Sequence, residues 1–129
     1  MSYLEDPMVV AFEHATLDPE IFDHRAHLYV AWCYLKELPL EQALPRYVQH
    51  LQKLTRALGV PHKYHATITW AYLIVLNDSM QNDEPFAALL ERHPSLLDAR
   101  GALRASYDDR ELFSDRARHH FVLPRRVQP

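Results

Sequence analysis

Three histidines stand at the beginning of the two most apolar helix-forming stretches of this sequence. His24 and His27 precede the apolar run of FDHRAHLYVAWCYL, and His65 opens KYHATITWAYLIVL. Side chains three residues apart are neighbours on a helix, so the first two rings can point into one space. Imidazole binds zinc, iron, copper and nickel, and three protein ligands with an open position are typical of catalytic metal sites. The spacing therefore predicts a divalent transition metal held by His24, His27 and His65.

A carboxylate would complete that ligand set, and the candidates are Glu13 and Asp23. The site requires the N-terminal ends of the two histidine-bearing helices to meet. Because one further helix separates them in the chain, they can run parallel in an up-down-up bundle. The sequence contains no HExxH motif, no Glu-x-x-His pair and no Cys/His knuckle. The metal hypothesis therefore depends on this convergence.

A ligand pocket without a metal is the second interpretation of the same residues. The pKa of histidine suits imidazole to general acid or base catalysis near neutral pH. Aromatic walls with a few polar groups are typical of small-ligand pockets, and Trp32 and Trp70 are candidates to roof one. The candidate catalytic residues of such a site are His27, His65, Tyr34 and Thr69, with Tyr64 and Thr67 as further lining.

A structural role is the third interpretation. Histidine at the start of a helix can donate to a backbone carbonyl, and Thr67 and Thr69 can bond back to carbonyl groups of their own helix. Tryptophan and tyrosine at helical spacing are typical of an ordinary core. One observation separates the interpretations: a shared cavity for His24, His27 and His65 favours function, whereas separate positions favour structure.

Three long helices are expected to position these residues. The first covers about 19–37, because Asp18 can cap a helix and Pro19 suits its first position. In the second, Pro45 predicts either a kink or a start near residue ~43, and Gly59 predicts the end.

The third long helix is expected over about 62–79, and its apolar residues cover almost every side, as in a helix buried by its neighbours. Pro85, Pro94 and the pair Ser114–Asp115 mark the starts of shorter helices, while residues 8–17 fit a helix or an extended arm. No segment alternates polar and apolar residues for long, so strands are not expected.

The 129 residues suffice for one domain, and 48% of them are hydrophobic. We expect a single all-α domain over 1–129, a bundle of about five to six helices around a buried central helix near 63–78. The single cysteine, Cys33, lies in an apolar run and is expected to be a buried hydrophobic residue. An unpaired cysteine suits a reducing compartment, so the predicted location is cytoplasmic.

Charge and composition argue against several classes of protein. The formal net charge is −3, which disfavours a nucleic-acid-binding surface. The chain has nine histidines but only two glycines, and no Gly-rich motif that could cradle phosphate. Its longest apolar run, WAYLIVL, is far shorter than the ~20 residues that span a bilayer, so no membrane association is expected.

A non-catalytic interaction module or accessory subunit is the alternative to a histidine-lined site. The second helix has a regular apolar stripe that includes Tyr47, Leu51 and Leu54, which suits packing or a homodimer interface. The two hypotheses make opposite predictions. A ligand or metal site predicts loss of uptake with an intact fold in His27→Ala and His65→Ala, whereas the module predicts loss of association when the stripe is made polar.

Four blocks of the sequence, FDHRAHLYVAWCYL, KYHATITWAY, HPSLLD and LFSDRARHHFVLP, resemble blocks of a group of small uncharacterised bacterial proteins. The likeness covers most of residues 20–124. It implies a bacterial, single-domain, all-helical protein. It implies no activity and no site residues.

Overall fold

The computed structural model describes residues 2–98 and 101–124, and the regular structure within these ranges is entirely helical. The described part of the predicted domain does not include Met1, residues 99–100 or residues 125–129. The α-helices are α1 (Pro7–Glu13), α2 (His24–Glu37), α3 (Leu40–Ala57), α4 (Ala66–Ser79), α5 (Phe86–Arg92), α6 (Asp109–Leu112) and α7 (Asp115–His119). The all-α prediction is confirmed, and the single-turn helices α6 and α7 bring the number above the expected five to six.

The core lies where α2, α3 and α4 pack against one another, with α1 against α2 and α3, and α7 against α4. Buried apolar side chains from these helices form one continuous cluster. The central helix α4 buries Tyr72, Leu73 and Leu76, whereas Ile74 on another side is 37% exposed. The apolar sequence of α4 therefore reflects contact with three helices, and one side of it still faces solvent.

α2 begins at His24, later than the predicted start near residue ~19. The Asp23 carboxylate accepts a hydrogen bond from the Ala26 N–H at 2.9 Å and caps the helix. Residues 18–21 form turns instead, which leaves Ile21 57% exposed. The ring of Phe22 is buried next to the cap, so the chain must turn at this point before the helix can start.

α3 begins at Leu40 and contains Pro45 at an exposed position, so the helix starts before the proline. Pro45 is the sixth residue of α3, so it has no N–H to donate to the carbonyl of Glu41, which is at an exposed position one turn earlier. Gly59, with a φ of 74°, follows the end of α3 as predicted.

The apolar stripe of α3 faces the interior of the molecule. Tyr47, Leu51 and Leu54 are each less than 10% exposed, at 3%, 7% and 2%. Polar substitutions there would unfold the chain and would not report on association. The hypothesis that this stripe is an exposed interface is therefore wrong.

α4 begins at Ala66 and not near residue ~62 as its apolar pattern predicted. Residues Pro61–Lys63 form a separate 3-10 turn, and His65 is the N-cap residue of α4. Its backbone is extended, at φ −129° and ψ 112°, so its side chain does not follow the helical wheel. The direction of the His65 side chain is therefore set by the N-cap backbone and not by the helix.

The shorter elements mostly follow the proline and cap signals. Residues 8–17 fit a helix or an extended arm in the sequence, and their first part lies in α1. Pro85 precedes α5, and the Ser114 hydroxyl caps α7. Pro94 starts only a 3-10 turn, Pro94–Leu97. Among the helices within residues 2–98 and 101–124, none combines the length and the hydropathy of a membrane-spanning segment.

Candidate functional site

A cavity of about 350 Å³ lies between α2, α3 and α4. Its apolar lining residues are Leu28, Ala31, Leu51, Ile68, Leu73, Leu76 and Phe113. Its other lining residues are His24, His27, Tyr47, Thr69 and Tyr72. None of these residues is Asp, Glu, Lys or Arg, so the cavity is an apolar space with a few neutral polar groups.

His24 lines this cavity from the first position of α2. Its Nε2 lies 2.8 Å from the carbonyl oxygen of Leu96. A carbonyl oxygen only accepts hydrogen bonds, so we infer that Nε2 carries a proton and that, in this tautomer of the uncharged ring, Nδ1 holds the lone pair. That Nδ1 has no hydrogen-bond partner within the described ranges.

His27 lines the same cavity with the opposite tautomer. Its Nδ1 lies 2.8 Å from the carbonyl oxygen of Asp23, so Nδ1 carries the proton and Nε2 holds the lone pair. The ring stacks on Phe22 with centroids 3.7 Å apart. Burial lowers the pKa of His27, the hydrogen bond to Asp23 opposes this, and the charge of His24 adds to the decrease. His27 is therefore neutral at pH 7, and its Nε2 is unpartnered in the described part of the chain.

His65 does not line the cavity. Its Nδ1 accepts the Ile68 N–H at 3.1 Å, and its Nε2 donates to the carbonyl oxygen of Leu112 at 2.7 Å. Both ring nitrogens are thus occupied by backbone groups. Burial lowers the pKa of His65, the bond to Leu112 opposes this, and the charges of Arg118 and His119 add to the decrease. His65 is a structural residue that ties α4 to α6.

The predicted metal centre of His24, His27 and His65 is therefore not formed. Within residues 2–98 and 101–124, no three His, Cys, Asp or Glu side chains come together in a way that could hold a metal ion. The proposed fourth ligands are also engaged elsewhere, because Asp23 caps α2 and Glu13 belongs to a separate network.

Tyr34, predicted as a catalytic residue, lies in that network and outside the cavity. Its hydroxyl donates to the Glu13 carboxylate, which also accepts two bonds from Arg46, at 2.7 and 2.9 Å. Burial would raise the pKa of Glu13, but the bonds from Arg46 and Tyr34 outweigh it and lower the pKa. The network joins α1 to α2 and α3, and Tyr34 is fully buried in it. Its role is to fasten α1 to the core.

Two hydroxyl groups accompany the open imidazole nitrogens. Thr69, a predicted site residue, lines the cavity. Tyr47, predicted only as a member of the apolar stripe of α3, lines the cavity as well. Neither hydroxyl has a hydrogen-bond partner among the described residues. Because every fully buried polar side-chain atom in the described ranges is paired, both hydroxyls must reach accessible space. The sequence does not reveal whether the hydroxyl of a tyrosine in an apolar stripe has a hydrogen-bond partner.

The other predicted lining residues lie elsewhere. Thr67 accepts from the Val122 N–H and donates to the carbonyl oxygen of His120, which holds the C-terminal segment against α4. Trp32 packs in an aromatic cluster with Tyr3, Tyr29 and Phe86, and Trp70 stacks on Phe121. Tyr64 does not line the cavity either.

The lowered pKa values of His27 and His65 predict a pH-dependent stability. The ordinary histidine pKa is 6.5, so below it the unfolded chain binds protons that the folded chain does not. The free energy of unfolding should be constant above about pH 7 and should fall as the pH decreases toward about 5. Urea titrations across this range test it. His65→Asn should reduce the dependence of the free energy of unfolding on pH, whereas His14→Asn, at an exposed position, should leave it unchanged. A free energy of unfolding that does not change with pH would contradict the prediction.

Comparison with known proteins gave no matching family model, no matching curated protein and no matching solved structure.

Proposed function

We propose that this chain binds a small, uncharged, mostly apolar molecule whose hydroxyl group meets His24 and His27. One observation carries the proposal: His24 and His27, each with one ring nitrogen that has no hydrogen-bond partner within the described ranges, line one apolar cavity. Two such acceptors beside the hydroxyls of Tyr47 and Thr69 suit a ligand that can donate and accept hydrogen bonds.

The character of the walls favours an uncharged ligand. No carboxylate, ammonium or guanidinium group from residues 2–98 and 101–124 lines the cavity, so a charged ligand would lose its hydration without an ionic partner among them. The rings of Tyr47, Tyr72 and Phe113 suit an aromatic molecule. The volume of about 350 Å³ lies at the lower end of the range for ligand pockets. A phenol or naphthol matches these properties.

Binding of 2-naphthol tests this proposal, with 2-methoxynaphthalene as the matched probe that cannot donate a hydrogen bond. The ether cannot donate to the imidazole nitrogens, so we expect 2-naphthol to bind at least about tenfold more tightly. Isothermal titration calorimetry measures both affinities. Equal affinities for the two probes would contradict the proposal.

Two conservative substitutions locate the preference. His24→Gln keeps a donor for the Leu96 carbonyl, and His27→Asn keeps a donor for the Asp23 carbonyl, but each removes the open nitrogen. The double variant should show at most about a threefold preference for 2-naphthol. His119→Asn is the matched control, because His119 is exposed and makes the same kind of bond to the Asp115 carbonyl outside the cavity. A preference that survives in the double variant would contradict the proposal.

A further inference from the structure

We propose that the same cavity catalyses keto–enol proton transfer on a bound apolar ketone, with His27 Nε2 as the base and the Tyr47 hydroxyl as the donor to the carbonyl oxygen. The inference rests on the proposed ligand site and adds a reaction to it. It follows from the juxtaposition of an open base and an open hydroxyl in one uncharged cavity. An enol carries the hydroxyl group inferred above, and the oxygen of its ketone tautomer can accept from the Tyr47 hydroxyl.

His27 is held as a base. Its Nδ1–H is fixed on the Asp23 carbonyl at 2.8 Å, and its ring is stacked on Phe22, so Nε2 has a defined position. This is the arrangement in which one ring nitrogen sets the tautomer and the other accepts a proton. Burial lowers the pKa of His27, so the ring keeps its lone pair at neutral pH. A neutral, oriented imidazole is suited to general base catalysis.

Tyr47 is suited to stabilise the charge that develops on the ligand. Its hydroxyl lacks a partner within residues 2–98 and 101–124, and burial raises its pKa, so it stays protonated. A hydrogen bond to a carbonyl oxygen strengthens as that oxygen becomes an enolate, and the effect is larger in an apolar cavity than in water. Thr69 can supply a second donor from α4.

The step needs no metal, oxidant or second substrate. The C–H bond next to the carbonyl breaks and an N–H bond forms at His27 Nε2. The C–H electron pair becomes the carbon–carbon double bond, and the carbonyl π pair moves to oxygen, which accepts from Tyr47. The imidazolium then returns its proton to the carbon or to the oxygen. In D2O the proton on Nε2 exchanges with solvent, so repeated cycles replace the ligand's α protons with deuterium.

Hydrogen–deuterium exchange of 2-tetralone in D2O, followed by proton NMR, tests the proposal. We expect the protein to exchange the α protons at least about a hundredfold faster than free imidazole at the same concentration. The exchange rate with His27→Asn should fall to that of free imidazole, and the rate with Tyr47→Phe should be about tenfold below that of the wild type. His119→Asn should match the wild type, and 2-naphthol should inhibit the exchange as a competitor.

The pH profile distinguishes a base from a merely structural residue. The exchange rate should rise with pH through the lowered pKa of His27 and become constant near neutral pH, after correction for the buffer rate. Circular dichroism establishes that each variant is folded. Tight 2-naphthol binding with no exchange above imidazole would overturn the catalytic proposal and leave the binding proposal standing. Absence of 2-naphthol binding would overturn both.

Discussion

Replacing His65 with alanine is expected to lower the free energy of unfolding by about 3 kcal/mol. The substitution removes the N-cap of α4, because His65 Nδ1 accepts the Ile68 N–H. It also leaves the Leu112 carbonyl without its 2.7 Å bond at a site where His65 is 7% exposed. Losing a cap costs about 1 kcal/mol, and an unpaired buried carbonyl costs about 1–3 kcal/mol.

Asparagine at position 65 separates the two contributions. Asparagine is among the best N-cap residues, so His65→Asn should restore the cap of α4 and lose only the bond to the Leu112 carbonyl. We expect the free energy of unfolding of His65→Asn to lie about midway between those of the wild type and His65→Ala. Urea unfolding followed by circular dichroism measures all three. Each folded variant should bind 2-naphthol with wild-type affinity. Loss of binding without loss of stability in His65→Ala would contradict the structural role of His65.

The long helices were predictable because each has a regular apolar period and explicit end signals. Gly59 ends α3 because glycine readily adopts the positive φ that follows a helix, and Pro85 precedes α5 because proline restricts φ. The starts of α2 and α4 were misplaced because local signals compete. Asp18 and Asp23 can both cap a helix, and the burial of Phe22 beside Asp23 decides between them. That burial depends on contacts with residues distant in the chain.

The candidate site was predictable only where its residues share one helix. His24 and His27 reach the same cavity because side chains three residues apart lie side by side. The structural interpretation of a helix-start histidine fits His65, but its partner, Leu112, is 47 residues away and no pattern in the sequence identifies it. Tyr47 was missed because an unpaired hydroxyl looks the same in sequence as any tyrosine in a core.

Filling the cavity should give the largest change in binding. Ala31 lines it from α2, and a phenyl ring at this position would occupy the space that an aromatic ligand needs. We expect Ala31→Phe to weaken 2-naphthol binding at least about a hundredfold, because the displaced ligand loses its apolar contacts as well as its hydrogen bonds. The rate of 2-tetralone exchange should fall in the same variant.

Stability distinguishes a filled cavity from a damaged fold. The new ring of Ala31→Phe buries apolar surface in space that already exists, so the free energy of unfolding should rise by about 1 kcal/mol. Ala71 is the matched control: it is 5% exposed on α4 but does not line the cavity. Ala71→Phe must displace packed atoms and should lose about 1–3 kcal/mol or more. If both variants were equally destabilised in urea titrations, the space beside His24 and His27 would be too small for a ligand, and the binding proposal would fail with it.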